Sequence, residues 1–272
     1  MIVVYERTKT EIFKGALVEL ILALDIYHDD IVLAGGWAPY FLSRPYVDHC
    51  GSIDIDLVLR PSIILRYESI RKLVESIGYL PTENPFRFTR ELKGPDGRPF
   101  DIDLDFLTEP EAKRHIMPHI SVQADLQAAL IPGCSIVFTF NYVGKIEGKI
   151  MNKGRAMTDA KVADLVGSLT MKGLALGRPR KLEKDSYDIY ALAGFCMGSP
   201  SAAAQEFKKL VTKKNNGRMP EVTKRALQKI EMGFEHPSSV APQAVSRFIG
   251  SDTSLDASLR IHAFLERLKS SR

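Results

Sequence analysis

Apolar and polar positions alternate with period two in some stretches of this chain and recur at helical spacing in others. TEIFKGALVELILALDIYHDD, residues 10–30, is apolar around so much of its circumference that it reads as a largely buried helix with Thr10 as its N-cap. IVLA, 31–34, is a short apolar strand running straight into Gly35-Gly36, and WAPYFLS beyond it reads as a short helix. SIDIDLVLR, 52–60, alternates and is rich in strand formers. Pro61 opens a helix to about Ile77 with Ile63, Ile64, Tyr67, Ile70, Leu73, Val74 and Ile77 on one face, and Gly78 ends it. FRFTREL and RPFDIDLDFLT flank a Gly-Pro-Asp-Gly turn, which predicts a hairpin whose second strand carries Asp101, Asp103 and Asp105 on one face.

Beyond residue 150 the strand signal fades, and helices are expected over 159–176, 184–196, 201–214, 221–234 and 256–268. The pattern therefore predicts an α/β (α+β) chain. A mixed-sheet domain over 1–152 is followed by a helical domain over 153–272. No period of internal repeats and no long low-complexity segment interrupts it.

Composition changes this picture little: 45% apolar and 26% charged residues are ordinary for a globular chain of 272 residues. No apolar run approaches the roughly 18 residues that span a bilayer. MIVVYERTKTEIFKG lacks a charged leader region, a long apolar core and a small-residue cleavage site. Cys50, Cys134 and Cys196 are odd in number and scattered, which favours a reducing compartment over a disulfide framework or thiolate zinc site. A cytoplasmic protein without a membrane partner is the expectation. Charge adds more: residues 1–144 hold 14 Lys and Arg against 20 Asp and Glu, whereas 145–272 hold 23 against 13. An acidic half and a basic half suit a metal site and an anionic partner, and equally two solvated surfaces of unequal composition.

The chemistry concentrates on the aspartates. Asp54 and Asp56 lie one residue apart on a strand, so their carboxylates share a face and repel. Buried, such a row needs cations, and oxygen-only ligands suit Mg²⁺ or Mn²⁺ together with substrate phosphates. Two such ions ~4 Å apart can activate an attacking hydroxyl and stabilise a leaving pyrophosphate. Gly35-Gly36 would let backbone N–H groups approach a phosphate, with Ser52 adding a hydroxyl. Alone, a D-x-D strand is commonly a solvated face and a Gly-Gly pair a plain turn. Their succession, strand, Gly-Gly, helix, D-x-D strand, then a separate aspartate strand, is much harder to reach by accident.

That succession resembles the nucleotidyltransferase superfamily with the polymerase-beta-like fold, whose signature is a Gly-Gly or Gly-Ser turn, a D-x-D/E strand and a third carboxylate on a later strand. GGWAPYFL with SIDIDLVL looks most like the branch typified by AbiEii-type abortive-infection toxins. LTMKGLALGRPRKLEKDSYDIYALA is similar to that branch's C-terminal element, a Lys on a helix followed by a basic-Asp-x-Tyr-Asp run. The resemblance, over roughly residues 30–195, implies metal binding by Asp54 and Asp56, with Asp103 or Asp105 completing the triad. DFLTEP favours Asp105. It implies further that Lys172 meets the triphosphate and that Lys184, Asp185 and Asp188 line the site. Cys50 stands where the family commonly has an Arg, for which Arg44 is a possible substitute. The implied reaction transfers a nucleotide from an NTP to RNA (a tRNA end, for a toxin), a protein side chain or a small molecule such as an aminoglycoside. A cognate antitoxin is the implied protein partner. A non-catalytic nucleotide- or RNA-binding module of the same fold is the alternative.

Other signals carry less. His115 and His119 have helical ligand spacing, but Pro118 interrupts it and no H-E-x-x-H exists. KIEGKIMNKG lacks the order of a P-loop, and KKLVTKKNNGR, 208–218, reads as a helix end where lysine suits the dipole, or as an RNA contact.

Overall fold

In a computed structural model the described residues are 7–63, 68–94, 97–109 and 118–270. They fall into two compact units, one of residues 7–37 with 50–163 and the other of 38–49 with 164–270. In chain order the elements are α1 (Arg7–Ala23), β1 (Ile31–Leu33), α2 (Trp37–Ser43), β2 (Asp54–Leu59), α3 (Ile70–Ser76), β3 (Leu80–Pro81), β4 (Arg87–Lys93) and β5 (Pro99–Thr108). There follow β6 (His119–Gln123), β7 (Leu126–Leu130), β8 (Asn141–Ile150), β9 (Gly154–Ala163), α4 (Leu165–Ala175) and α5 (Leu182–Phe195). The chain continues with α6 (Pro200–Asn215), α7 (Glu221–Gly233), α8 (Val240–Ile249) and α9 (Ser254–Lys269). No helix among the described residues is long and apolar enough to cross a membrane.

The first unit is built on one mixed sheet in the order β3-β4-β5-β2-β1-β9-β8. β2 lies inside it, antiparallel to β1 and parallel to β5, and its residues 55–59 are buried, as a strand covered on both faces requires. One edge of β5 is shared: β4 pairs antiparallel as far as Asp105, and β7 pairs parallel from Leu107. The expected hairpin of β4 and β5 is present, although Pro95 and Asp96 of its turn lie outside the described residues.

β8 and β9 form a long antiparallel hairpin, and β9 pairs parallel with β1. This corrects two expectations. Strand structure runs to Ala163, so a division at 152/153 would separate the two strands of one hairpin, and the helix expected from 159 begins only at Leu165. Glycines at 144 and 148 weaken the strand pattern of β8, to which the sequence reading assigns no element. Gly148 is there for packing: a Cβ on it would lie 2.8 Å from the Lys14 carbonyl oxygen of α1, and one on Gly15 would lie 2.1 Å from the Lys149 carbonyl oxygen. Backbone packs on backbone at this crossing.

Other boundaries shift for local reasons. α1 already begins at Arg7, so Thr10 lies within it and its hydroxyl donates to the Cys50 carbonyl at 2.9 Å instead of capping. The helix expected from Pro61 starts at Ile70, where the Ser69 hydroxyl accepts from the Lys72 amide; residues 64–67 of that expected helix lie outside the described set. α8 was not expected because Pro242 interrupts its pattern, yet proline in a first helical turn loses no necessary hydrogen bond.

The second unit is helical. α5 packs against α4, α6, α8 and α9. Its residues 185–194 are consequently buried right round the helix, two aspartates included.

Candidate functional site

In the sheet unit, register assembles the aspartates. Parallel pairing sets Asp54 opposite Asp103 and Asp56 opposite Asp105, so four carboxylates share one face of β2 and β5. Asp56 and Asp105 are buried, Asp54 and Asp103 are half-buried, and Asp101, nearest the turn, is exposed. Gly35 closes over the row with φ +60°, and a Cβ built on it would fall 1.8 Å from Oδ2 of Asp56. The Ala34 amide donates to the Asp56 carbonyl at 2.9 Å, which holds the turn there. Only glycine fits. Gly36 is buried in the same turn. The Ser52 hydroxyl donates to Oδ1 of Asp54 at 2.6 Å, a bond within the chain where the sequence pointed to a phosphate contact.

Arg87, which sequence reasoning missed, answers the row's charge. Its Nε and Nη2 donate to Oδ1 and Oδ2 of Asp105 at 2.7 and 2.6 Å, and Nη1 donates to Oδ2 of Asp103 at 3.0 Å. These bonds, Asp105's above all, hold the guanidinium pKa above its ordinary value. A partial signal for it existed. Counting outward from the predicted turn sets Arg87 opposite Leu104, one residue short of Asp105, its partner in the observed register.

Among the described residues no three His, Cys, Asp or Glu side chains are grouped to hold a metal by themselves. With both oxygens of Asp105 on Arg87, the three-carboxylate site does not fit this arrangement. A smaller set does: Mg²⁺ commonly takes one or two carboxylates and completes its shell with water and substrate phosphates. Asp54 and Asp56, adjacent on one face, are such a pair.

The remaining expected site residues assemble in the helical unit. Nζ of Lys172 on α4 lies 2.7 Å from Oδ1 of Asp185 and 2.8 Å from Oδ2 of Asp188 on α5. Lys184, one turn before Asp188, donates to its Oδ1. His49 Nε2 lies 3.0 Å from the same oxygen, with both side chains fully buried. Burial opposes the charge on Lys172, but Asp188 and Asp185 outweigh it and hold its pKa above the ordinary lysine value. Burial likewise opposes ionisation of Asp188, and Lys172 and Lys184 overcome it, holding that carboxyl well below the usual range. Burial, then the charge of Lys184, pushes His49 down to about 4. Asp188 is thus an ionised acceptor and His49 a neutral imidazole whose proton sits on Nε2. The lone lysine of an apolar helix does face an anion, but that anion belongs to the chain. Its expected triphosphate contact is not what this geometry displays. His49 left no sequence signal, since 139 residues separate it from Asp188.

His119 sits in β6, which removes the helical spacing to His115, a residue outside the described set. The basic run after Lys208 closes α6, where Lys214 pairs with Asp164 at 2.9 Å.

No protein-family model matches the chain, and no curated protein does. Among solved structures it is similar to an antigenic nucleotidyltransferase-like protein from Paracoccidioides brasiliensis, at 16% identity over 92% of each chain with a TM-score of 0.41. A likeness that loose carries no inference about chemistry.

Proposed function

We propose that this chain is a metal-dependent nucleotidyltransferase that moves a nucleoside monophosphate from an NTP to an acceptor and releases pyrophosphate. One observation carries the reading: the parallel register that lays Asp54 and Asp56 beside Asp103 and Asp105 with Gly35 closed over Asp56. The acceptor hydroxyl oxygen bonds to the α-phosphorus, the bond to the bridging oxygen of pyrophosphate breaks, and the acceptor proton passes to Asp103, only one of whose oxygens Arg87 holds, while both oxygens of Asp105 are on that guanidinium. Mg²⁺ or Mn²⁺, held by Asp54 and Asp56 with the triphosphate, would supply charge neutralisation. Asp54 keeps its orientation through Ser52, and Asp56 through its place under the glycine turn. In the helical unit Lys172 and His49 orient Asp188, and Lys184 adds positive charge beside it. RNA is the favoured acceptor because the later half of the chain is basic, and the finer assignment is an AbiEii-like toxin of the cytoplasm restrained by an antitoxin. These rest on sequence resemblance.

The Arg87 fork favours a second reading, a nucleotide- or RNA-binding module whose third carboxylate is held by an internal cation. Incubating the pure protein with each labelled NTP, Mg²⁺ and total RNA separates the two. Labelled RNA that disappears in Asp54→Ala supports transfer. RNA binding without label in any product supports the module.

A further inference from the structure

β4 alternates across the sheet. Arg87 faces the aspartate row, whereas Arg90, paired with Ile102, faces the opposite side. That side carries a cavity of about 290 Å³ lined by Ile12 and Glu19 of α1, Arg90 and Leu92 of β4, and Lys149 and Asn152 of the β8–β9 hairpin.

Glu19 is the anchor. It is 7% exposed, and its Oε2 accepts from Nη1 of Arg90 at 2.7 Å while its Oε1 accepts from Lys153 at 2.8 Å. Burial works against its charge, but hydrogen bonds from Lys153 and Arg90 prevail, so the carboxyl stays ionised. The Arg90 side chain is only 16% exposed, and among the described residues its Nε and Nη2 have no hydrogen-bond partner. Lys149, with no side-chain partner among the described residues, adds a second cation to the same wall. Of the charged residues that line the cavity, Glu19 is negative and Arg90 and Lys149 are positive, a surplus of one positive charge, and Lys153 reaches Glu19 from outside the lining. Ile12 and Leu92 add apolar surface to the same lining.

We propose that this cavity binds a small amphipathic carboxylate, its anionic end on the Nε/Nη2 edge of Arg90 with help from Lys149, and its short hydrocarbon body against Ile12 and Leu92. A planar carboxylate accepts two parallel bonds from that edge, which an alcohol cannot do. The volume suits a ligand of roughly six to ten heavy atoms. The site is separate from the aspartate row and does not depend on the function proposed for it.

Titration of the full-length protein with octanoate, octanol and acetate, followed by arginine-selective ¹H–¹⁵N NMR and calorimetry, tests this. Octanoate is expected to shift one Nε–H resonance saturably, and acetate and octanol each to bind at least roughly tenfold more weakly. Arg90→Met should remove that resonance and weaken octanoate roughly tenfold or more. Lys149→Ala, at an exposed position that cannot disturb folding, should weaken it by about threefold. Octanol binding as tightly as octanoate, unchanged affinity in folded Arg90→Met, or no saturable octanoate binding would each overturn the proposal. If Arg90→Met unfolds, Ile12→Trp, which fills the cavity from α1, must abolish octanoate binding; retained binding overturns it as well.

Discussion

Gly35 and Asp56 form the tightest constraint on the aspartate row, because the glycine's left-handed backbone and the missing Cβ are both needed there. Gly35→Ala is expected to lower stability by about 1 kcal/mol for the backbone alone, and by more for the collision with Asp56. Asp56→Gly removes the colliding side chain. The double variant should therefore be more stable than the two single losses predict, as read from urea unfolding in a double-mutant cycle; strict additivity would show that Gly35 does not press on Asp56. His49 supplies a second residue-scale expectation. Its pKa is lowered in the fold, so the unfolded chain binds the extra proton. Stability from this group is complete above about pH 6.5, the unfolded value, and declines as pH falls toward about 4. The full difference is about 3 kcal/mol by that linkage. His49→Gln keeps a donor for Asp188 but cannot titrate, so its stability should vary less between pH 7 and 4 than the parent's. Parallel pH curves would refute the assignment.

Between elements, the pairs formed by Lys172 on α4 with Asp185 and Asp188 on α5 are buried, and the fold holds Lys172 and Asp188 in their charged forms. Removing one side of such a pair leaves an uncompensated buried charge. Asp188→Ala and Lys172→Ala should each cost about 3–5 kcal/mol, which denaturant titration at pH 7 measures. Replacing both by apolar residues of similar size, Lys172→Met with Asp188→Leu, should recover part of that loss, although Lys184 and His49 then lose their partner. A loss of NTP affinity in Lys172→Ala would bear on the proposed site only at temperatures where the variant stays folded. β4 and β5 show the same rule in a more open setting, where Arg87 spans two aspartates that would otherwise repel. Arg87→Ala should lower stability in metal-free solution and strengthen Mn²⁺ binding, because Asp103 and Asp105 lose their internal cation. Electron paramagnetic resonance of free Mn²⁺ would detect this, and unchanged Mn²⁺ affinity would mean that Arg87 does not compete with a metal.

For the whole molecule, the charge asymmetry softens once the units are known. The helical unit with its segment 38–49 holds 19 Lys and Arg against 12 Asp and Glu, and the remainder of the chain holds 18 against 21. The surplus of seven positive charges lies on the helical side, and RNA binding through it should weaken steeply with salt, which filter binding across a salt series measures. Affinity independent of salt would exclude a phosphate-dominated contact. Mg²⁺ with NTP should raise the melting temperature of the parent and not of the Asp54→Ala/Asp56→Ala double variant, as linkage requires.

Local physics made much of this legible from the amino-acid sequence alone. Alternation marked β2, β4 and β5, the glycine turn announced itself after β1, and the period of 3.6 found α5, α6, α7 and α9 to within a few residues. Asp54 and Asp56 share a face by strand geometry, whatever surrounds them. Partners distant in sequence could not be read in this way. That Asp103 lies beside Asp54 is a consequence of strand order, and that His49 reaches Asp188 is a consequence of the helical unit's packing. Gly148 obscured β8 because its use is a tertiary contact with α1, absent from any local window, whereas Pro242 obscured α8 although its place in the first helical turn makes it harmless. Lys172 shows the division most clearly. The sequence determined that a cation on an apolar helix needs an anion, and only the tertiary structure decided that Asp185 and Asp188 provide it, since a buried charge must be neutralised by whatever the fold brings within reach.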